Sequence, residues 1–195
     1  MTEYYTGNKK KIELLKELEY RLQRCNLCFT REERMLKLTF PGVGNVDCTH
    51  MFIGEAPSIY RTWREHFTMK SKPIFDEILR IIGVDRSDVY ITNVIKCIIY
   101  SSRTGESEKC RRYLPLEIEI VDPPVVWLLG LTAIRSVLNL DSSEIRYRIG
   151  RPLIVSKRIF VPLYHPMVCV YNPGQKDWYF SKVRQAVKLV NSYLF

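Results

Sequence analysis

The chain has 195 residues, 46% of them hydrophobic and 26% charged, enough for one well-packed domain over residues 1–195 and too few for two. Its longest apolar stretch, Val125 to Leu131, falls far short of the roughly 18–20 residues of a membrane span. The opening Met-Thr-Glu-Tyr-Tyr lacks the apolar centre of a signal peptide, so a cytoplasmic protein with no membrane partner is expected.

Taken in chain order, Ile12, Leu15, Leu18 and Leu22 recur at helical spacing and predict an opening helix over residues 9–23. Cys48 to Ile53 is a short apolar run ending at Gly54, a buried strand. Pro73 to Ile82 sets Ile74, Phe75, Ile78, Leu79 and Ile82 on one stripe, with Gly83 as the stop. The β-branched and aromatic Val89-Tyr90-Ile91-Thr92 predicts a second strand. A helix over residues 107–121 ends before Pro123-Pro124, Val125 to Leu129 is a third buried strand, and a helix runs from Gly130 to about Leu140. Leu153-Ile154-Val155 and Ile159-Phe160-Val161 flank a turn at Ser156-Lys157, and a helix from Trp178 to Tyr193 closes the chain. Strands alternating with helices predict a three-layer α/β/α domain around a parallel sheet of about four strands.

The charge is lopsided. Thirty Lys and Arg against 21 Asp and Glu leave a net +9, which favours a polyanionic partner, nucleic acid ahead of an anionic membrane. Residues 146–158 carry Arg146, Arg148, Arg151, Lys157 and Arg158 with no acid among them, and Arg61, Arg64, Lys70 and Lys72 face only Glu65. Lys9 to Lys11 are balanced by Glu13, Glu17 and Glu19 and belong to a solvated helix face.

In a parallel sheet, ligands bind beyond the carboxyl ends of the strands. That rule selects Glu55 after the first strand, Asn93 at the end of the second and His165 after the last. A carboxylate, an amide and an imidazole converging on one crevice suit hydrolysis of a bond whose leaving group is a planar heterocycle. Cys25-x-x-Cys28 in a reducing compartment reads as half of a metal or redox site rather than a disulfide. Cys48 reads as a small buried apolar residue.

These residues meet a family pattern. Gly54-Glu55-Ala56-Pro57, the block Val89-Tyr90-Ile91-Thr92-Asn93-Val94-Ile95-Lys96-Cys97, Tyr164-His165-Pro166, and the series Cys25, Cys28, Cys97 and Cys110 together resemble the family 4 uracil-DNA glycosylases, the iron–sulfur branch of that superfamily. The likeness implies a uracil-DNA glycosylase-like fold and hydrolysis of the N-glycosidic bond of uracil, with other deaminated bases as further candidates, in base excision repair. DNA containing uracil would be the partner; replication or repair proteins as further partners stay open. Glu55 would hold the attacking water or stabilise the sugar cation, Asn93 would read the uracil edge, and His165 would donate to the departing base. Gly54, Ala56 and Pro166 would line the base pocket and Phe67 would stack on the base. The stretch from Met167 through Val168 to Tyr171 would wedge into the duplex, read as a loop, while Arg148, Arg151 and Lys157 would contact phosphates. The four cysteines would hold a [4Fe–4S] cluster, with zinc the less favoured alternative, because spacing alone does not choose between them. Ser58 to Arg61 and His66 to Lys72 replace stretches that are acidic or glycine-rich in the family. They motivate one alternative: a DNA-binding protein of this fold with altered or lost excision.

Overall fold

A computed structural model describes residues 5–28, 39–57, 70–97, 109–110 and 112–194. Strand β1 (Tyr5–Thr6) is followed by helix α1 (Lys9–Gln23), then β2 (Val43–Asn45), β3 (His50–Gly54), α2 (Lys72–Ile82) and β4 (Tyr90–Asn93). Helix α3 (Leu114–Val121), β5 (Val125–Leu129), α4 (Leu131–Leu138), α5 (Ser142–Arg148), β6 (Leu153–Val155), β7 (Arg158–Leu163), α6 (Met167–Tyr171) and α7 (Lys176–Leu194) complete the order. The strands form one sheet in the order β1-β2-β4-β3-β5-β7-β6.

The parallel block is β4-β3-β5-β7, the four strands expected. Antiparallel β6 extends one edge, and β2, antiparallel to β4, with β1 extends the other. Every residue of β5 is buried because the two faces of the sheet are both covered. Val126 and Leu128 pack into the layer of Leu15, Leu18 and Ile134, whereas Val125, Trp127 and Leu129 pack with Phe75, Ile78 and Val183. A strand buried on both faces reads as a continuous apolar run rather than an alternation.

Local signals fix the helix ends. Asn8 caps α1 by accepting from the amides of Lys10 and Lys11, and Gly83 ends α2 in the left-handed region at φ +83°, where glycine carries no steric cost. Helix α5, not anticipated from the sequence, starts from a capping box in which Asp141 and Glu144 satisfy each other's backbone amides. The β6–β7 turn falls on Ser156-Lys157, as expected, since Val155 pairs with Arg158. Among the described residues no helix is long and apolar enough to cross a membrane.

Candidate active site

Because β4, β3, β5 and β7 are parallel and in register, their carboxyl ends lie level. Gly54 pairs with Asn93, and Leu129 pairs with Leu163. The chain beyond β4 stays zipped to the chain beyond β3: the amides of Val94 and Ile95 donate to the carbonyls of Gly54 and Glu55, both at 2.9 Å. Across the sheet the Gly130 amide donates to the Leu163 carbonyl at 2.8 Å. At this end a cavity of about 440 Å³ opens, lined by Glu55, Gly130, Arg135, His165, Met167 and Tyr171 among others. Glu55 and His165 thus share one space. Asn93 stands at the adjoining strand tip.

The Asn93 side chain is buried, and among the described residues its Nδ2 has no hydrogen-bond partner. A buried unpaired donor is costly, about 1–3 kcal/mol, and such an orphan in a site is explained by an absent acceptor. Its Oδ1 lies against Gly54, where an added Cβ would sit 2.5 Å from it. Gly54→Ala is therefore expected to swing the amide aside. A displacement near 1 Å costs about 10²-fold in turnover, measurable as single-turnover excision rate with the thermal midpoint as a folding control.

His165 starts the turn into α6. Its Nδ1 accepts from the Met167 amide at 3.2 Å, and burial pushes its pKa down to about 4. The ring is neutral near pH 7, and its proton resides on Nε2. The residue before it is held by Tyr179, whose hydroxyl donates to the Tyr164 carbonyl at 2.8 Å. Pro166 is buried at the start of α6. The segment from Met167 to Tyr171 is a short helix rather than the expected loop. It puts Met167, Val168 and Tyr171 on the cavity wall while Cys169 faces the core. Tyr171 is 76% exposed.

At the opposite end of the sheet, His50 accepts from the Trp127 indole at 3.1 Å, and burial likewise pushes its pKa down to about 4. Both histidines are easier to protonate in the unfolded chain, near pH 6.5. Stability is therefore full above that pH and is lost as pH falls towards 4, by up to about 1.4 kcal/mol per pH unit for each ring. Urea midpoints measured between these limits should fall on acidification, less steeply in His50→Gln.

Residues 41–188 match the model of the Uracil DNA glycosylase superfamily. The chain belongs to that superfamily. It is 29% identical over 189 residues to a type-4 uracil-DNA glycosylase of Archaeoglobus fulgidus, covering 91% of this chain and 94% of that protein. It is 31% identical over 167 residues to the type-4 enzyme of Thermotoga maritima, covering 82% and 85% respectively. A type-4 enzyme of Saccharolobus solfataricus is 29% identical over 199 residues, covering 90% of this chain and 86% of that protein.

In this glycosylase-superfamily chain the basic run of residues 146–158 divides in two. Arg148 ends α5, and Arg151 lies over the Tyr147 ring at 4.3 Å. The Gly150 amide beside them donates to the Pro162 carbonyl at 2.9 Å, which holds this stretch near the site end of β7. Lys157 and Arg158 occupy the other end, about 17 Å away along the strand. There Lys157 pairs with Asp122 at 2.8 Å, and Arg158 reaches Glu119 and Asp122 at 2.9 and 2.7 Å. Lys157, expected to contact a phosphate, thus stands at the end of the strand away from the cavity, and its partnering acid lies some 35 residues back in sequence, just after α3, invisible to a local charge count. Phe67 and most of the altered Ser58–Lys72 stretch lie outside the described residues. Ala56 packs on the core.

Two features escaped the sequence. Arg135 lines the cavity and donates to Ser142 at 2.6 Å; it stands apart from any basic run. Glu117, buried on α3, accepts from the Gly42 amide at 3.0 Å, the Tyr90 hydroxyl at 2.9 Å, the Thr92 hydroxyl at 2.8 Å and the buried Lys96 ammonium. Four donors satisfy a charge that would be prohibitive alone, and they clamp the chain on both sides of Asn93.

The cysteine arm sits behind this clamp. Cys110 hydrogen-bonds Cys28 and the backbone of Lys96, and Tyr113 hydrogen-bonds Cys25. Cys97 follows Lys96 and is buried. Among the described residues no three such donors close to metal-ligating spacing; thiols are the donor type that suits a soft metal or an iron–sulfur cluster. Cys48 is buried as expected, and burial pushes its thiol up to about 11.

Proposed function

We propose that this protein hydrolyses the N-glycosidic bond between uracil and deoxyribose in DNA, the first step of base excision repair. The observation that carries this reading is the buried Nδ2 of Asn93, without a partner among the described residues, beside a cavity holding Glu55 and a neutral His165. The relatives named above are uracil-DNA glycosylases, which favours excision over the DNA-binding alternative.

A base inside a duplex cannot reach such a cavity, so it must be extruded. The Asn93 amide then donates to the 4-carbonyl and accepts from N3–H, a pairing that the amino group of cytosine reverses. As the C1′–N1 bond breaks, its electron pair moves onto the base and negative charge grows on the 2-carbonyl oxygen, where His165 Nε2–H donates. Glu55 faces the sugar cation and holds the water whose oxygen bonds C1′. Gly54 lets the amide stand close, Pro166 completes the base pocket, and Met167, Val168 and Tyr171 fill the gap left in the stack. Arg148 and Arg151 take phosphates.

Cys25, Cys28, Cys97 and Cys110 would hold a [4Fe–4S] cluster, which when bound ties the N-terminal arm to the segment after β4. The purified protein is expected to be brown and to contain iron. A colourless sample loaded with zinc would overturn the cluster, and Cys28→Ser should bleach it. Excision itself is tested by incubating a uracil-containing oligonucleotide and cleaving abasic sites with alkali. Binding without abasic product under any condition would instead establish the DNA-binding alternative.

A further inference from the structure

From the cavity wall outward, aromatic rings and cations follow one another along one path. Tyr164 lines the cavity, and its ring lies 6.1 Å from that of Trp178 in the first turn of α7. The ammonium of Lys182, one turn on, stands 5.9 Å from the Trp178 ring. Lys182 packs against Gly150, where an added Cβ would meet the Lys182 Cβ at 3.0 Å. Arg151, next to Gly150, covers one face of Tyr147. The whole path lies on the site side of the sheet, since Gly150 is bonded to Pro162 near the end of β7.

Packing does not account for it. The seam of α7 that meets the core is Tyr179, Val183, Ala186 and Val190, whereas Trp178 is 42% and Tyr147 66% exposed. Neither Arg151 nor Lys182 enters an ion pair among the described residues, unlike Lys157 and Arg158 at the far end. Among the described residues Lys182 donates only to the Gln185 amide oxygen, at 3.2 Å. Cations without acids beside exposed rings suit a polyanion whose units carry planar faces, a strand of nucleic acid with unpaired bases.

We infer that this path carries the DNA strand on one side of the extruded nucleotide, with phosphates on Arg151 and Lys182 and neighbouring unpaired bases on Trp178 and Tyr147. The inference rests on the glycosylase reading above and adds a substrate class: DNA that is single-stranded on that flank. A paired flank keeps its bases stacked on each other and cannot use the rings.

The test uses uracil oligonucleotides extended on the 5′ side only or the 3′ side only, single-stranded or paired along the extension. Wild type, Trp178→Ala, Tyr147→Ala and Lys182→Gln are compared. For one extension direction, KM on the single-stranded form should rise about tenfold in each aromatic variant, with kcat held. Lys182→Gln should reduce the salt slope of binding by about 0.7. Tyr147 is remote from the cavity and its removal leaves the fold intact, which a thermal melt verifies. Equal effects on both directions, equal effects on paired and unpaired flanks, or no effect overturn the inference. If wild type excises nothing, the glycosylase reading fails separately, and equilibrium binding of the same oligonucleotides must still show the one-sided loss.

Discussion

Replacing His165 by alanine lowers kcat for uracil excision about 10²–10³-fold, equivalent to about 2.7–4 kcal/mol of barrier, while leaving affinity for uracil-containing DNA nearly unchanged. The reason is differential. A neutral imidazole donating through Nε2 gains strength only as charge develops on the departing base, so its contribution appears in the transition state and not in the bound substrate. The Met167 amide, by occupying Nδ1, fixes which nitrogen carries the proton. Burial holds the ring neutral down to about pH 4, so the wild-type rate should show no acid limb near 6.5 from this group. A rate that falls as pH rises through about 6.5, in a limb that vanishes in His165→Gln, would show instead a cationic donor, and the assignment of a neutral ring would fall.

Substituting Asn93 by aspartate cuts uracil excision by about 10³-fold and raises the relative rate on cytosine. A carboxylate cannot donate to the 4-carbonyl and repels it, whereas the amino group of cytosine can donate to a carboxylate. Sites built to hydrogen-bond a particular edge discriminate by 10⁴–10⁵ when the partner is missing. A loss of about 10³ is expected here because His165 and the stacking surfaces still act. Rates on matched uracil and cytosine oligonucleotides decide it. An unchanged ratio would mean that Asn93 faces away from the base and that its unpartnered Nδ2 has another cause. The Glu117 clamp gives this prediction its sharpness. With Thr92 and Lys96 both fastened to one buried carboxylate, the amide between them has little freedom to retreat from an unfavourable partner.

Together the two variants separate the roles that a single activity loss would merge. His165→Ala slows both bases alike, since both leave with charge on the 2-carbonyl. Asn93→Asp changes the order of the bases.

The sequence by itself determined the parallel sheet, the order of its elements and the residues at its strand tips. Both signals are local or periodic: continuous apolar runs such as Val125 to Leu129 mark strands buried on two faces, and the end of each run marks where a crevice must lie. Glu55, Asn93 and His165 were legible for that reason. What lay outside reach depended on contacts between distant segments. The division of the basic run turned on Glu119 and Asp122, on and just after α3, which pair with Lys157 and Arg158, whereas Arg151 has no ion pair among the described residues. The Glu117 clamp joins Gly42, Tyr90, Thr92 and Lys96 across 75 residues, and no window along the chain contains it. Strand β2, with Gly44 at φ +123°, carries no apolar alternation and exists only because β4 offers it an edge. Tertiary structure decided these points because charge and hydrogen-bond partners are chosen by proximity in space, which chain order does not encode.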